Sequence, residues 1–231
     1  MIDTTFDFRN DASGKDPDKY SPTLRRYHRA LWSKPLPNGR VFDLDDSTQG
    51  AYLHHKSDLG EFVLASDSCI PTFTTWVTMR HILEQIPAEE VLAFRRAAYT
   101  IGGMMVFPGN KVDGRQTLNG ARGFTRKIAD RLDLTLECIR RYYLDEPSPL
   151  AAVLARYEDF FELFEDFTGY VDFFLLQDLV SADGSGVRFL MRFDDFSGRS
   201  VPGALDEYVA YRSATLEFIE ARNRRIAALG L

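Results

Sequence analysis

The spacing of apolar and polar positions changes period several times along the chain. Leu24, Tyr27 and Leu31 stand at helical intervals behind Ser21-Pro22, which predicts a short helix over residues 23–32. The run WSKPLPNG stops it, because proline cannot continue a helix and Asn38-Gly39 is a strong turn dipeptide. Residues 40–44, 51–54 and 61–65 read as short β segments separated by Asp, Ser and Gly, and predict a small meander or hairpin. Trp76, Met79, Ile82, Leu83 and Ile86 mark a helix opened by Thr74 or Thr75. Pro87 opens another through Val91, Leu92 and Phe94. Residues 99–107 read as a buried strand whose Gly102-Gly103 pair predicts a bulge or the close approach of another group.

The C-terminal half is more strongly periodic. Phe124, Ile128, Leu132, Leu136, Ile139 and Tyr143 predict one long helix over 117–143. A second starts near Pro149 or Leu150 with Val153, Leu154, Tyr157, Phe160, Phe161, Phe164 and Phe167 inward, and Thr168-Gly169 kinks or divides it before the apolar stretch 170–179. Residues 187–193 alternate as a strand, and 205–229 form a final amphipathic helix. Residues 1–22 are polar and rich in Asp, an irregular arm with a short extended piece at 4–8. The economical architecture is α+β: the arm 1–22, then a single domain over 23–231 in which a small, mostly antiparallel sheet packs against long amphipathic C-terminal helices.

Composition narrows the class further. With 231 residues, 45% hydrophobic and 27% charged, the chain is globular in character, and its 18 Phe and 10 Tyr supply a large apolar area for one core. Cys69 and Cys138 are too few for a disulfide scaffold and match no zinc spacing, so they read as buried thiols in a reducing compartment. The start lacks a basic stretch followed by an apolar one, and the longest nearly uncharged apolar stretch, 97–107, falls short of the ~20 residues that span a bilayer. These features predict a cytoplasmic protein with no membrane contact. A net charge of −6 disfavours nucleic acid as a partner at long range, leaving only a local basic face to bind it.

Four strings are unusual: LWSKPLPNG at 31–39, DRLDLTLECIRRYY at 130–143, YVDFFLLQDLV at 170–180 and FDDF at 193–196. Together they resemble a family of uncharacterised bacterial proteins of about this length, a domain-of-unknown-function family, over roughly residues 26–224. The resemblance implies a single-domain, bacterial, cytoplasmic protein. It carries over no catalytic residue, no cofactor and no substrate.

The strongest chemical signal is basic. Lys111, Arg115, Arg122, Arg126, Lys127 and Arg131 face only Asp113 and Asp130 in sequence, and the preceding loop is rich in Gly, Asn and Thr. A loop feeding a helix start offers unpaired backbone N–H groups and the positive end of the helix dipole. Arg122 and Arg126, four apart on a helix, point the same way. Arg115, Asn119, Arg122, Arg126 and Lys127 are therefore the expected ligand-binding residues, for a phosphate, sulfate or carboxylate. Neither GxxxxGK[ST] nor GxGxxG is present, and the competing reading is a solvated helix face.

Candidate catalytic residues are His28 and Asp67. Arg25, Arg26 and Arg29 surround His28 in sequence and are expected to depress its pKa, favouring a neutral base. Asp67 ends a strand within Ser66-Asp67-Ser68, although no GxSxG elbow accompanies it. His54, His55 and His81 form no HExxH, and no metal site is expected. Asp172 and Asp178 lie in an apolar segment and need a partner, for which an arginine of the 122–131 segment is the candidate. Three functional readings follow: a domain that binds or acts on a phosphorylated small molecule or nucleotide; a non-enzymatic, self-associating or regulatory protein with an aromatic partner surface; and, less favoured, a nucleic-acid-handling or toxin-like protein.

Overall fold

Capping side chains decide where the chain first becomes regular in the computed structural model, which describes residues 1–45 and 52–231. Asp16 accepts from the Asp18 N–H, and Pro17 takes the first helical position of α1 (Pro17–Tyr20). Ser21 repeats the device, its Oγ accepting from the Leu24 N–H at 3.1 Å, with Pro22 opening α2 (Pro22–Trp32). Residues 1–22 are thus more ordered than an irregular arm. Phe8 and Ala12 are fully buried, and the Ile2 N–H donates to the Leu231 carbonyl at 2.7 Å.

The strands form two small antiparallel sheets. β1 (Lys34–Pro35) and β2 (Val41–Phe42) pair across the Asn38-Gly39 turn, where Gly39 has φ 78°. β3 (Leu53–Ser57), β4 (Gly60–Ser68) and β5 (Met104–Pro108) make the second sheet in that order. β3 pairs with β4 from Ser57↔Gly60 to Leu53↔Leu64, and β5 pairs with β4 from Leu64↔Pro108 to Ser68↔Met104. β5 is buried along its whole length. The punctuation expected at 45–50, and residue 51 at the start of the expected strand, fall largely outside the described residues. The stretch expected as one strand over 99–107 starts instead with a 3-10 turn, Ile101–Gly103. A Cβ on Gly102 would stand 2.6 Å from the Ile219 carbonyl oxygen, the close approach that the glycine pair predicted.

A 3-10 turn, Val77–Met79, leads into α3 (Arg80–Leu83), and Pro87 precedes α4 (Ala88–Ala98). The long helix expected over 117–143 is two helices, α5 (Leu118–Phe124) and α6 (Leu132–Tyr143). Ala129 and Asp130 sit at φ 50° and 63°, which no α-helix accommodates, and the Asp130 N–H returns to the Arg122 carbonyl at 3.2 Å. The next expected helix is also divided, into α7 (Ala151–Leu154), a 3-10 turn Ala155–Tyr157, α8 (Glu158–Glu162) and α9 (Phe167–Phe174). The break falls at Glu165 (φ 66°), ahead of Thr168-Gly169, and Asp166 caps α9 by accepting from the Gly169 N–H at 2.8 Å. Residues 187–193 are not a strand. They make a single bridge, Val180↔Val187, and the Leu190 N–H goes to Asp133 Oδ2 at 2.9 Å.

α10 (Leu205–Ala227) packs on α4 and on the Ile101–Gly103 turn, with Tyr208, Tyr211, Phe218, Ile219 and Ile226 buried. Rings from α2, the α8–α9 link and α9 interlock: Trp32, Phe164, Tyr170, Phe173 and Phe174 have neighbouring centroids 4.8–5.3 Å apart. Burial of each such side chain contributes about 1.5–3 kcal/mol. Arg222 is fully buried beside them and donates to the carbonyls of Gly102, Met104 and Phe174 at 2.8–3.0 Å. Burial lowers its pKa to about 10. The architecture is α+β, and among the described residues no helix is long and apolar enough to cross a membrane.

Candidate functional site

Among the described residues β3 pairs with β4 as far as Leu53↔Leu64, and beyond Leu64 backbone groups on that side of β4 meet side chains. These come from two helices. Asp18 of α1 accepts from the Ser68 N–H through Oδ2 at 3.3 Å, and Asn119 of α5 donates to the Ser66 carbonyl through Nδ2 at 3.4 Å. Between these elements lies a cavity of about 260 Å³, whose walls include Asp16, Asp18, Lys19, Ser66, Asp67 and Asn119. Asp18 Oδ1 and Asn119 Oδ1 have no donor among the described residues.

Arg122 stands behind Asp67 and is fully buried. Its Nη1 contacts Asp67 Oδ2 and lies 3.4 Å from Asp130 Oδ1. Nε donates to Thr135 Oγ1 and Nη2 to the Asp130 carbonyl, both at 2.9 Å, and the guanidinium lies 4.5 Å from the centre of the Phe107 ring. The left-handed pair Ala129-Asp130 folds the α5–α6 link around this one cation. Burial pushes the Asp67 carboxyl up against the pull of Arg122, with the Asp130 and Asp18 carboxylates adding to the rise. Burial likewise raises Asp18, to about 7, with Asp16 next in effect.

His28, fully buried on α2, supports the same strand. Trp32 Nε1 donates to its Nδ1 at 3.0 Å, which leaves the proton on Nε2 to donate to Ser66 Oγ, also at 3.0 Å. Burial pushes its pKa down to about 3, assisted by Arg222. The neutral histidine expected from sequence is present, but its cause is burial and a residue of α10, not the flanking arginines.

Four of the residues singled out in the sequence thus come together: Asp67 and Asn119 line the cavity, and His28 and Arg122 hold its wall. The other three do not. Arg115, Arg126 and Lys127 are exposed and lie outside the cavity lining. Arg126 shares no helix face with Arg122, because α5 ends at Phe124. The α5 start is capped by its own Thr117 Oγ1, which accepts from the Gly120 N–H at 3.3 Å. Asp178 is held by Arg225 and Asp172 by Gln177, not by an arginine of the 122–131 segment. Asp16 and Asp18 escaped notice because they lie in the stretch read as an arm. The Asp-Pro helix start was the available signal, but the partner of Asp18 is fifty residues away.

Among the described residues no group of three or more His, Cys, Asp or Glu is placed to hold a metal ion. Both cysteines are buried, and burial pushes each thiol up to about 12. The chemistry that remains is that of paired carboxyls facing a small polar space: donation, acceptance and holding of a proton.

Comparison with curated proteins and with solved structures returned no match. One family model matches residues 2–226, nearly the whole chain, and by that match the protein belongs to a family of unknown function, DUF6994.

Proposed function

We propose that the protein binds a small polar molecule in the cavity beside the Ser66–Ser68 end of β4, and that the Asp18–Asp67 pair exchanges a proton with it. The observation that carries this reading is the convergence of two carboxyls of raised pKa on one polar cavity, beside two oxygens that have no donor among the described residues. Perturbed titratable groups in a cleft are a recognised mark of functional sites, and the cavity is at the small end of ligand pockets. Ser66 and Asn119 orient the ligand. His28 acts as a positioning residue, keeping the Ser66 hydroxyl directed by donating to its oxygen.

A second reading keeps a phosphorylated small molecule or nucleotide as the ligand. Its support is that Arg115, Arg126 and Lys127 are exposed and make no ion pair with a carboxylate among the described residues, so they are available to attract an anionic end. A thermal-shift screen separates the two, using nucleosides and sugars in one set and their phosphates in the other. A ligand at a hundredfold excess over its Kd adds about 2.7 kcal/mol, a rise of about 5–10 °C for a domain of this size. The first reading expects neutral compounds to shift wild type and the shift to vanish in Asn119→Leu. Shifts confined to phosphates and abolished by Arg115→Ala or Lys127→Ala favour the second. Absence of any shift, together with a dimer by light scattering, favours the interaction reading.

A further inference from the structure

We infer that α1 is a pH-sensitive wall of this cavity, docked on β4 while Asp18 carries a proton and loosened when Asp18 ionises. The inference concerns the regulation of the cavity and rests on its being the ligand site. A helix of four residues has no stability of its own, so α1 persists only by docking. What docks it includes Pro17, which is buried, and Asp18, whose Oδ2 accepts from the Ser68 N–H; beyond its end, Ser21 Oγ donates to Asp11 at 2.5 Å.

The groups that face Asp18 are mostly acidic. Asp16 and Lys19 belong to its own segment, Asp67 comes from β4, Asp130 from the α5–α6 link, Tyr99 from the end of α4, and Arg122 from α5. Lys19 lies 4.0 Å from Asp16 and is largely solvated. Arg122, the buried cation of the group, already contacts both Asp67 and Asp130. An ionised Asp18 would be a third carboxylate on one guanidinium, with no donor to its Oδ1 among the described residues. A proton on Asp18 removes that repulsion and leaves Oδ2 to accept from Ser68.

The sign follows directly. The docked carboxyl titrates near 7 and a solvated one at 3.8, so docking is favoured by acid and weakens as pH rises through that interval. For one linked proton the loss approaches tenfold per pH unit and levels off above about 7, giving roughly a hundredfold between pH 5 and pH 8. Since Asp16, Asp18 and Lys19 form one wall, loosening α1 widens the entrance to the cavity.

Hydrogen exchange on the full chain tests this. The reporters are the Ser68, Tyr20 and Ser21 amides, corrected for intrinsic exchange, in wild type and Asp18→Asn from pH 5.5 to 8.5. Wild-type protection at these amides is expected to fall by tenfold or more, while core amides of β5 stay constant. Asp18→Asn keeps an acceptor for Ser68 and cannot ionise, so its profile is expected to be flat. A flat wild-type profile, or the same slope in both proteins, overturns the inference. Ligand binding at pH 6 and pH 8 separates the two ideas. A ligand lost in Asn119→Leu but bound without any pH-dependent change at α1 removes the gate and keeps the site. An α1 that loosens on schedule while no small molecule from the screen binds removes the site and keeps the switch.

Discussion

Replacing Arg122 by methionine removes the one guanidinium around which β4, α5 and the α5–α6 link are assembled. The variant keeps most of the side-chain volume over Phe107 but leaves Asp67 facing Asp130 and Asp18 with no cation between them, and it leaves the Asp130 carbonyl without its donor. Breaking a buried ion pair from one side costs about 3–5 kcal/mol, because the surviving charge remains desolvated. At 2–4 °C per kcal/mol for a chain of this length, the midpoint of thermal unfolding should fall by about 6–20 °C at pH 8. Arg122 favours the ionised form of Asp67, so its removal drives that carboxyl further toward the proton, and the cost should shrink between pH 8 and pH 5. Arg122→Met/Asp67→Asn removes the stranded charge as well and should recover part of the loss, a coupling that a double-mutant cycle in urea measures directly. A cost below about 1 kcal/mol at pH 8, or strict additivity of the two substitutions, would refute the view that this pair is desolvated and mutually dependent.

Further outcomes follow from other parts of the molecule. His28 titrates near 3 in the folded chain against 6.5 when solvated, so it contributes stability that is present above pH 6.5 and lost as pH falls toward 3; His28→Gln should flatten that acid limb in chemical denaturation. Neither Cys69 nor Cys138 should react with Ellman's reagent in the folded protein, and both should do so once urea unfolds it. Gly169→Ala places a methyl group against the Phe164 carbonyl and Pro37, and should cost about 1–3 kcal/mol by thermal unfolding, with a native far-ultraviolet spectrum if the strain is local.

How far the sequence could be read depended on whether local chemistry settled each element. Ser21-Pro22, Pro87 and the Asn38-Gly39 turn act within a few residues, so α2 and α4 stand close to where they were expected and β2 falls inside the expected segment 40–44, whereas β1 was not foreseen. The periodicity over 117–143 misled, because its apolar positions fall on two short helices and the link between them, and one of them, Phe124, is exposed. What breaks them apart is the need to wrap a chain turn around Arg122, a demand made by Asp67 far away in sequence. The alternation in 187–193 misled for a similar reason, its backbone being drawn to the buried Asp133 instead of a neighbouring strand. At the cavity, Asp67, Asn119, Arg122 and His28, each singled out by residue type, lie close together in the fold. Residue types could not show that Arg122 is already matched by acids, and α1, whose Asp18 completes the wall, has too few residues to leave a periodic trace.

The contacts of Arg222 bear on the order in which the chain assembles. Its guanidinium, near the end of the last helix, closes hydrogen bonds to carbonyls at residues 102, 104 and 174. A nascent chain shorter than that arginine holds these oxygens in an apolar setting without this donor, so the β5 end of the sheet stays unfinished until residue 222 has joined it. Such late, long-range closure makes for slow maturation and a prolonged interval in which a partly formed interior is exposed to misassociation or to chaperones.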